Sequence, residues 1–527
     1  MQSSSAKLLV CCLLLPCGGA LSMPSRPQPP NINSIARQRR AGLRVAAGAA
    51  IGNVLQGFNT GVIAGALLYI VPEFGLESRP ELTGLIASST TMGAIAGTMG
   101  CARFCDSVGR QRTLVLSSLC FLLGGALMGW SRGSGMLIAG RFIGGCAAGI
   151  VSAAVPTYIA ECAEPSQRGA LSTLPQLCVS SGILLSYLVG LGALLFGGSW
   201  RLMLGLSLIP AAAQAAVVLT LPESPRWLLA RRADEESALR ALRRLRGRDD
   251  VEAELEEMKR GLERERGGAG RAEQAKGGAT NAGAADSVGV LALLRTPRAR
   301  SALLICSSLQ LAQQFCGVNA IVYFTPQILK QAGVPSMFSS MGVSSDAAAM
   351  LATVLAYLPK IPSVLLATYL IDRKGRKWML QAFVPPLAAC LALLAATVGG
   401  GAAAGATALS AFGATAAVTL FGIFFGMSLG PLPNILSAEL FPTAVRGVGV
   451  STTTTVQWIS NMLVAALFPV AAARFGMPAV LYGFAAVCVG AFLLVVLAVP
   501  ETKGVALEDI GSGSGAGASK GKEEKGE

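Results

Sequence analysis

The sequence contains no histidine and few charged residues. Asp, Glu, Lys and Arg together make up 14% of its 527 residues, whereas 52% are hydrophobic. Without imidazole, a histidine proton relay and a histidine-ligated metal site are excluded. Soluble proteins carry about 25% charged residues. The shortage of charge, with a mean hydropathy of +0.57, therefore indicates a polytopic membrane protein.

Cysteine pairs and catalytic motifs are missing as well. The 13 cysteines are scattered through apolar segments without paired spacing and are interpreted as small buried hydrophobes. The apolar segments carry no metal-ligand cluster, phosphate-binding loop or nucleophile–base set. We therefore expect no enzymatic activity, no cofactor and no metal site. The net charge of +14 lies mostly in loops, so we expect no nucleic-acid partner either.

Acidic residues are absent before Glu73. Residues 1–42 contain a short apolar run at 8–15, followed by small residues, arginines and serines. The run is too short to cross a bilayer, and the composition is typical of a targeting segment or of a disordered tail. We predict one of these two for residues 1–42.

Long apolar runs, by contrast, are abundant. Crossing a bilayer takes roughly 20 apolar residues, and about twelve runs reach this length. We number them spans 1 to 12; they lie near 43–71, 82–103, 113–131, 135–160, 171–197, 202–222, 301–331, 346–371, 378–399, 404–431, 446–472 and 477–499. The predicted fold is all-α, with twelve transmembrane helices in a lipid bilayer.

The basic residues of the loops alternate along the chain. They are concentrated after even-numbered spans, above all between Arg226 and Arg300. By the positive-inside rule, both termini and this central loop are cytoplasmic. We expect residues 223–300 to form a cytoplasmic helical loop with a flexible linker, and 500–527 a disordered tail. The plasma membrane, a plastid membrane and an endomembrane all stay open.

The chain also repeats itself, which indicates two related six-helix halves at 43–222 and 301–499. Three short motifs occur once in each half: Asp106 to Arg110 and Asp372 to Arg376, Glu161 with Arg168 and Glu439 with Arg446, and Pro222-Glu223-Ser224 and Pro500-Glu501-Thr502. Two such halves around a central loop are typical of an alternating-access transporter.

Span 7 carries several uncharged amides. Gln310, Gln313 and Gln314 share one helix face, and Asn319 falls near the same side. Hydrocarbon cannot satisfy amides, so they face either a wet cavity or neighbouring helices. Neutral donors and acceptors suit a neutral polyhydroxylated ligand, and a sugar is the natural candidate. Hydrogen bonding between helices is the alternative.

In this context the chain resembles the sugar porter family of the major facilitator superfamily, which includes glucose facilitators and proton–sugar symporters. The resemblance rests on the three repeated motifs, the amide-bearing stretch of span 7, residues 57–63, Gly140-Arg141-Phe142 and residues 156–161 and 222–229. It implies transport of a monosaccharide, typically a hexose, by alternating access. It also implies that Gln313, Gln314, Asn319, Gln176, Trp458 and Asn461 contact the sugar. For Trp458, a packing role is the alternative.

The resemblance assigns a different role to the charged motifs at the cytoplasmic span ends. There, ion pairs would hold the halves together while the cavity faces outward; the residues are Asp106, Arg110, Glu161, Arg168, Asp372, Arg376, Glu439 and Arg446. A network of such pairs can bias two conformations that differ by only a few kcal/mol. Charges that only set the topology are the alternative.

Three positions depart from the family pattern. Proton-coupled members of the family carry Asp at the position of Asn59, opposite the position of Arg141. Because Asn cannot titrate, we expect facilitated diffusion rather than proton symport. Asn434 replaces a Trp of the pocket wall, where it would contact the substrate. Lys360 replaces an Asn about 18 Å from the end of span 8, at 1.5 Å per residue, and an intramembrane cation needs water or a partner.

Several alternatives remain at this stage. With Arg141, Lys360 makes the cavity positive, which favours an acidic sugar or another organic anion. Proton-coupled symport of a sugar or polyol and a non-transporting sugar sensor also stay open. The sequence does not specify the oligomeric state.

Overall fold

The computed structural model describes residues 32–164, 171, 173–274, 293–294, 296–338, 342–404, 408–442 and 445–502. The predictions for 1–31, Arg168 and 503–527 lie outside this range. Within it, all regular secondary structure is helical. The predicted all-α fold is therefore confirmed.

Every predicted span coincides with one helix or with two consecutive helices. The first half contains Ile32–Glu73, Pro80–Val108, Arg110–Gly129, Ser134–Cys162, Leu174–Phe196, and Trp200–Gly205 with Leu208–Thr220. The second half contains Pro297–Phe315 with Val318–Gln331, Ser345–Tyr357 with Lys360–Lys374, Arg376–Ala404, Ala408–Met427 with Leu432–Leu440, Arg446–Phe475 and Met477–Ala498. Span 1 begins at Ile32 rather than near 43, so its helix includes the end of the predicted N-terminal segment 1–42.

Eleven helices of the described part are long and apolar enough to cross a membrane. The helix of span 2 is not among them, although it has 29 residues. It carries four consecutive small polar residues, Ser88 to Thr91, and all four are buried. Span 2 lies tightly against span 4, because a Cβ added at Gly145 would stand 2.0 Å from the carbonyl oxygen of Thr90. Its polar groups are thus kept away from lipid, as a membrane helix requires.

Four spans are interrupted near their middle. Span 7 breaks between Phe315 and Val318, where Gly317 adopts a φ of 82°. A Cβ at Gly317 would also stand 2.2 Å from the ring of Phe484. Spans 6, 8 and 10 break likewise, spans 8 and 10 beside a proline. Because helix ends leave backbone groups without helical partners, the break in span 10 frees the carbonyls of Leu429 and Gly430 to accept from a side chain of span 7.

We call the side that carries the helices Glu235–Arg246 and Glu252–Gln274 the loop face, and the opposite side the far face. The two helices are anchored by Arg246, which is 4% exposed. Arg246 forms an ion pair with Glu254 at 2.6 Å and donates to the carbonyl of Cys162, at the end of span 4, at 2.8 Å. The central loop therefore includes packed helices, and residues 275–292 of the predicted helical loop and linker lie outside the described residues.

The two halves touch each other toward the far face. A Cβ at Gly84, near the start of span 2, would stand 2.1 Å from the carbonyl oxygen of Ala466 on span 11. The hydroxyl of Tyr187 on span 5 donates to the carbonyl of Val322 on span 7 at 2.8 Å. The rings of Tyr187 and Tyr357 meet edge to face at 5.2 Å.

Candidate substrate site

A central cavity of about 190 Å³ lies between the two halves. A cavity needs roughly 10–15 Å³ on the same measure to admit a single water, so this cavity has room for several waters or for a small ligand. All seven residues predicted to contact substrate lie on its wall: Gln176, Gln313, Gln314, Asn319, Asn434, Trp458 and Asn461. The structure therefore brings together residues from spans 5, 7, 10 and 11.

The amides of span 7 form a hydrogen-bonded chain on this wall. Asn319 Nδ2 donates to Gln314 Oε1 at 2.6 Å, and Gln314 Nε2 donates to Gln313 Oε1 at 2.9 Å. Gln313 Nε2 in turn donates to the carbonyls of Leu429 and Gly430, at 2.7 and 2.8 Å. These carbonyls are free because span 10 breaks there. The chain fixes each amide in orientation and leaves further donor and acceptor positions for a ligand.

Gln310 holds neighbouring helices together instead. Its Nε2 donates to Asn434 Oδ1 at 2.8 Å, and Gln310 itself is fully buried and does not line the cavity. The bond links span 7 to span 10. Both interpretations of the amide face thus apply, to different residues: Gln310 is interhelical, whereas Gln314 and Asn319 lie on the cavity wall.

Span 11, which packs beside span 7, contributes a further part of the wall. Trp458 and Asn461 are three residues apart and so share one face, and Gln457 also lines the cavity. The Oδ1 atom of Asn461 is buried and has no hydrogen-bond partner. A buried acceptor without a partner is costly, and a ligand hydroxyl in the cavity is a suitable donor for it.

Several cavity residues were missed by the sequence analysis. Gln56 and Thr60 on span 1, Thr90 and Thr91 on span 2, and Tyr323 on span 7 all line the cavity. Gln56 and Thr60 are one helical turn apart in an apolar span, a spacing that predicts a shared face. The signal was therefore present for span 1.

The predicted coupling position is buried outside the cavity wall. Asn59 is 4% exposed and donates to the carbonyl of Leu55 in its own helix at 3.1 Å. Arg141 is 1% exposed and donates to the carbonyls of Ile86 and Ala87 on span 2, at 2.7 and 3.3 Å. The third guanidinium nitrogen, Nη1, is buried and has no partner. Arg141 thus joins spans 4 and 2 through backbone carbonyls.

Lys360 does reach the cavity. It is the first residue of the second helix of span 8 and is 8% exposed. Its Nζ lies 4.9 Å from the ring centroid of Tyr357 and 5.5 Å from that of Phe425. The predicted intramembrane cation is thus held between two aromatic rings, in a cation–π arrangement.

The charged motifs form ion pairs at the loop face, within one half or with the central loop. Arg110 Nη2 lies 2.9 Å from Glu161, and Arg376 Nη2 lies 2.8 Å from Glu439. Asp106 pairs with Arg110 at 3.4 Å and with Arg231 at 2.9 Å. Arg446 Nε donates to the carbonyl of Phe441 at 3.4 Å. Arg168 and the side chain of Asp372 lie outside the part of the chain that the structure describes.

The third repeated motif contributes a carboxylate at the loop face, Glu223, to which the sequence analysis assigned no role. Glu223 accepts the backbone N–H groups of Arg110, Gln111 and Ser224, at 2.9, 3.1 and 2.8 Å. Burial raises the pKa of Glu223, and these N–H groups oppose the rise. Glu223 thereby caps the helix of span 3, at the point where Arg110 also pairs with Glu161.

This arrangement of twelve spans in two halves is the major facilitator fold. The structure superposes on the partially occluded inward-open xylose transporter XylE of E. coli with a TM-score of 0.71 and 23% identity, covering 89% of this chain and 100% of that one. At that identity the likeness concerns the fold. The predicted major facilitator architecture, two halves of six spans, is confirmed.

The family follows from the sequence. The model of the family described as "Sugar (and other) transporter" matches residues 45–513. The chain is 32% identical to the facilitated glucose transporter member 3 of Mus musculus, over 88% of this chain and 90% of that protein. It is 31% identical to the glucose transporter GlcP of Staphylococcus epidermidis, over 88% and 94%. The chain belongs to this sugar transporter family and is a transporter rather than an enzyme, as predicted.

Proposed function

We propose that the protein carries a monosaccharide across its membrane by facilitated diffusion. The observation that carries the proposal is the cavity between the halves, because every residue predicted to contact sugar lies on its wall. Amide groups offer paired donors and acceptors to vicinal hydroxyls, and Trp458 offers a ring face to the apolar side of a pyranose. The glucose transporters among its relatives support a hexose as the substrate class.

The absence of a titratable acid near the cavity supports diffusion rather than proton coupling. No Asp or Glu lines the cavity among the described residues, and Asn59 cannot exchange a proton. Because the relatives include facilitated transporters, a cycle without a proton is consistent with the family. Sugar then moves only down its own gradient.

We further propose that the loop face is cytoplasmic, with both termini on that side. The support is the concentration of Arg and Lys at this face, since cytoplasmic loops carry an excess of these residues. The ion pairs Arg110–Glu161 and Arg376–Glu439 lie there. In the proposed cycle, these motifs come together across the halves when the cavity opens to the far face.

Uptake into liposomes that contain the purified full chain tests the transport proposal. We expect labelled hexose to equilibrate without a membrane potential or pH gradient, and an imposed pH gradient to cause no accumulation. Accumulation driven by the pH gradient would contradict facilitated diffusion while leaving transport intact. A monodisperse protein that neither binds nor moves any monosaccharide would overturn the whole proposal.

A further inference from the structure

Lys360 gives the central cavity a single positive charge. It lines both the central cavity and an adjoining small cavity of about 20 Å³. Of the described side chains that line either cavity, Lys360 is the only charged one. The remaining polar groups on the two walls are amides and hydroxyls. One end of an otherwise neutral cavity is therefore cationic.

The protein compensates this charge only in part. Tyr357 and Phe425 hold the ammonium by their rings, which offsets some of the cost of removing a cation from water. Among the described residues, no carboxylate forms an ion pair with Lys360, and Gly422 and Gly426 are its neighbours on span 10. A buried cation normally has a partner of opposite charge. A ligand in the cavity is the available source of that charge.

The small cavity beside Lys360 also has a tyrosine hydroxyl on its wall. Tyr357, whose ring contacts Lys360, is 9% exposed; its hydroxyl lies near Ser180 on span 5 but makes no hydrogen bond within 3.5 Å. The hydroxyls of Thr325 and Thr353, which also line the small cavity, instead donate to carbonyls of their own helices. A cation beside an unpartnered hydroxyl is a combination that suits an anionic group.

We propose that this end of the cavity binds the carboxylate of an acidic monosaccharide, such as a hexuronate, while the amide wall binds its hydroxyls. The inference rests on the proposed function and specifies its substrate. Lys360 lines the same cavity as Gln314 and Asn319, so one sugar contacts both. An inorganic anion such as chloride offers the same charge without the hydroxyls, and the experiment separates the two sources.

The experiment uses the full chain in liposomes, with D-glucose and D-glucuronate as substrates in methanesulfonate medium and in chloride medium. We expect glucuronate to be taken up and to compete about tenfold better than glucose, since a charge-assisted hydrogen bond is stronger than a neutral one. Chloride should change this preference by less than about twofold, because the hydroxyl contacts are absent for chloride.

Variants of Lys360 assign the preference to this residue. Lys360→Met removes the charge and keeps most of the length, and we expect it to lower the preference for glucuronate over glucose about tenfold. Lys360→Arg should keep the preference. Lys330→Met is the matched control, because Lys330 is 47% exposed and pairs with Asp346 at the end of span 7; it should retain the preference. Size-exclusion profiles establish that each variant is folded.

Each other outcome is decisive. If glucose is transported and glucuronate neither enters nor competes, the acidic-sugar inference is wrong and the proposed function stands. The acidic-sugar inference is also wrong if chloride abolishes the preference for glucuronate, or if folded Lys360→Met keeps that preference. The wild-type competition decides the question alone if no Lys360 variant folds. If monodisperse wild-type protein moves neither sugar, the proposed function fails too.

Discussion

Glu223 and Glu501 occupy equivalent positions in the two halves, and each carboxylate accepts the first backbone N–H groups of a membrane-spanning helix. Glu223 receives the N–H groups of Arg110 and Gln111, and Glu501 receives those of Arg376 and Lys377 at 2.9 and 3.1 Å. In both places a glycine with positive φ precedes the helix, Gly109 at 110° and Gly375 at 93°. The sequence repeat is thus a repeat of one capping structure.

Removal of a capping carboxylate should destabilise the half that contains it. Glu223→Ala leaves the first N–H groups of span 3 without an acceptor, at a cost of about 1–2 kcal/mol. We expect a lower Tm in detergent for Glu223→Ala and for Glu501→Ala. Glu257→Ala, a change at an exposed position on the helix Glu252–Gln274, is the control and should leave the Tm unchanged. Equal Tm values for all three variants would contradict the capping role.

The raised pKa of Glu223 predicts a specific pH dependence. Because the pKa of Glu223 is higher in the folded state than in the unfolded state, the folded state binds more protons between these two values. The contribution of Glu223 to stability therefore falls as pH rises above its ordinary value of 4.5. Glu223→Gln lacks this titration, so its Tm relative to wild type should rise between pH 4.5 and neutral pH. A difference that is constant or falls would show that the pKa is not raised.

Gln314 should contribute directly to sugar affinity. Gln314→Ala removes a cavity amide and leaves Asn319 Nδ2 without its acceptor, so we expect sugar binding to weaken about 2–10-fold, as for one or two neutral hydrogen bonds. Competition binding on the purified protein measures this. Gln327→Ala is a matched control, since Gln327 also lies on span 7, in its second helix Val318–Gln331, but not on the cavity wall. If both variants bind sugar with equal affinity, Gln314 does not contact the sugar.

A carboxylate at position 59 should make transport sensitive to protons. Asn59 is buried, and an acid there titrates with the conformation because its exposure to water changes during the cycle. We expect Asn59→Asp to show uptake that depends on an imposed pH gradient, in the liposomes in which wild type shows none. Asn53→Asp, six residues earlier on span 1, is the control. If folded Asn59→Asp takes up sugar independently of the pH gradient, position 59 does not determine proton coupling.

The spans and the amide wall were predictable because their signals are local. Apolar runs of fixed length define the helices, and Gln313, Gln314 and Asn319 lie close together in one run. Lys360 was found because a cation deep in a span is unusual. The breaks at Gly317 and in spans 8 and 10 align these residues around one cavity.

Other features depend on contacts between distant parts of the chain. Arg141 donates to carbonyls at Ile86 and Ala87, and no residue type indicates which carbonyl a guanidinium reaches. The bond from Gln310 to Asn434 spans 124 residues, so its interhelical role could not be separated from a ligand role in advance. Thr90 and Thr91 line the cavity from span 2, and no pattern within that span indicates which other spans it faces.

The contact between Gly84 and the carbonyl of Ala466 limits how the protein moves. Because no side chain separates the two backbones, spans 2 and 11 meet over a surface that only very small residues permit. A side chain as large as leucine at position 84 would keep spans 2 and 11 apart and prevent the cavity from closing at the far face. Such a variant would still bind solute that enters from the far face but would change slowly to the conformation open to the loop face. The rate of transport would therefore fall more than the affinity for the solute.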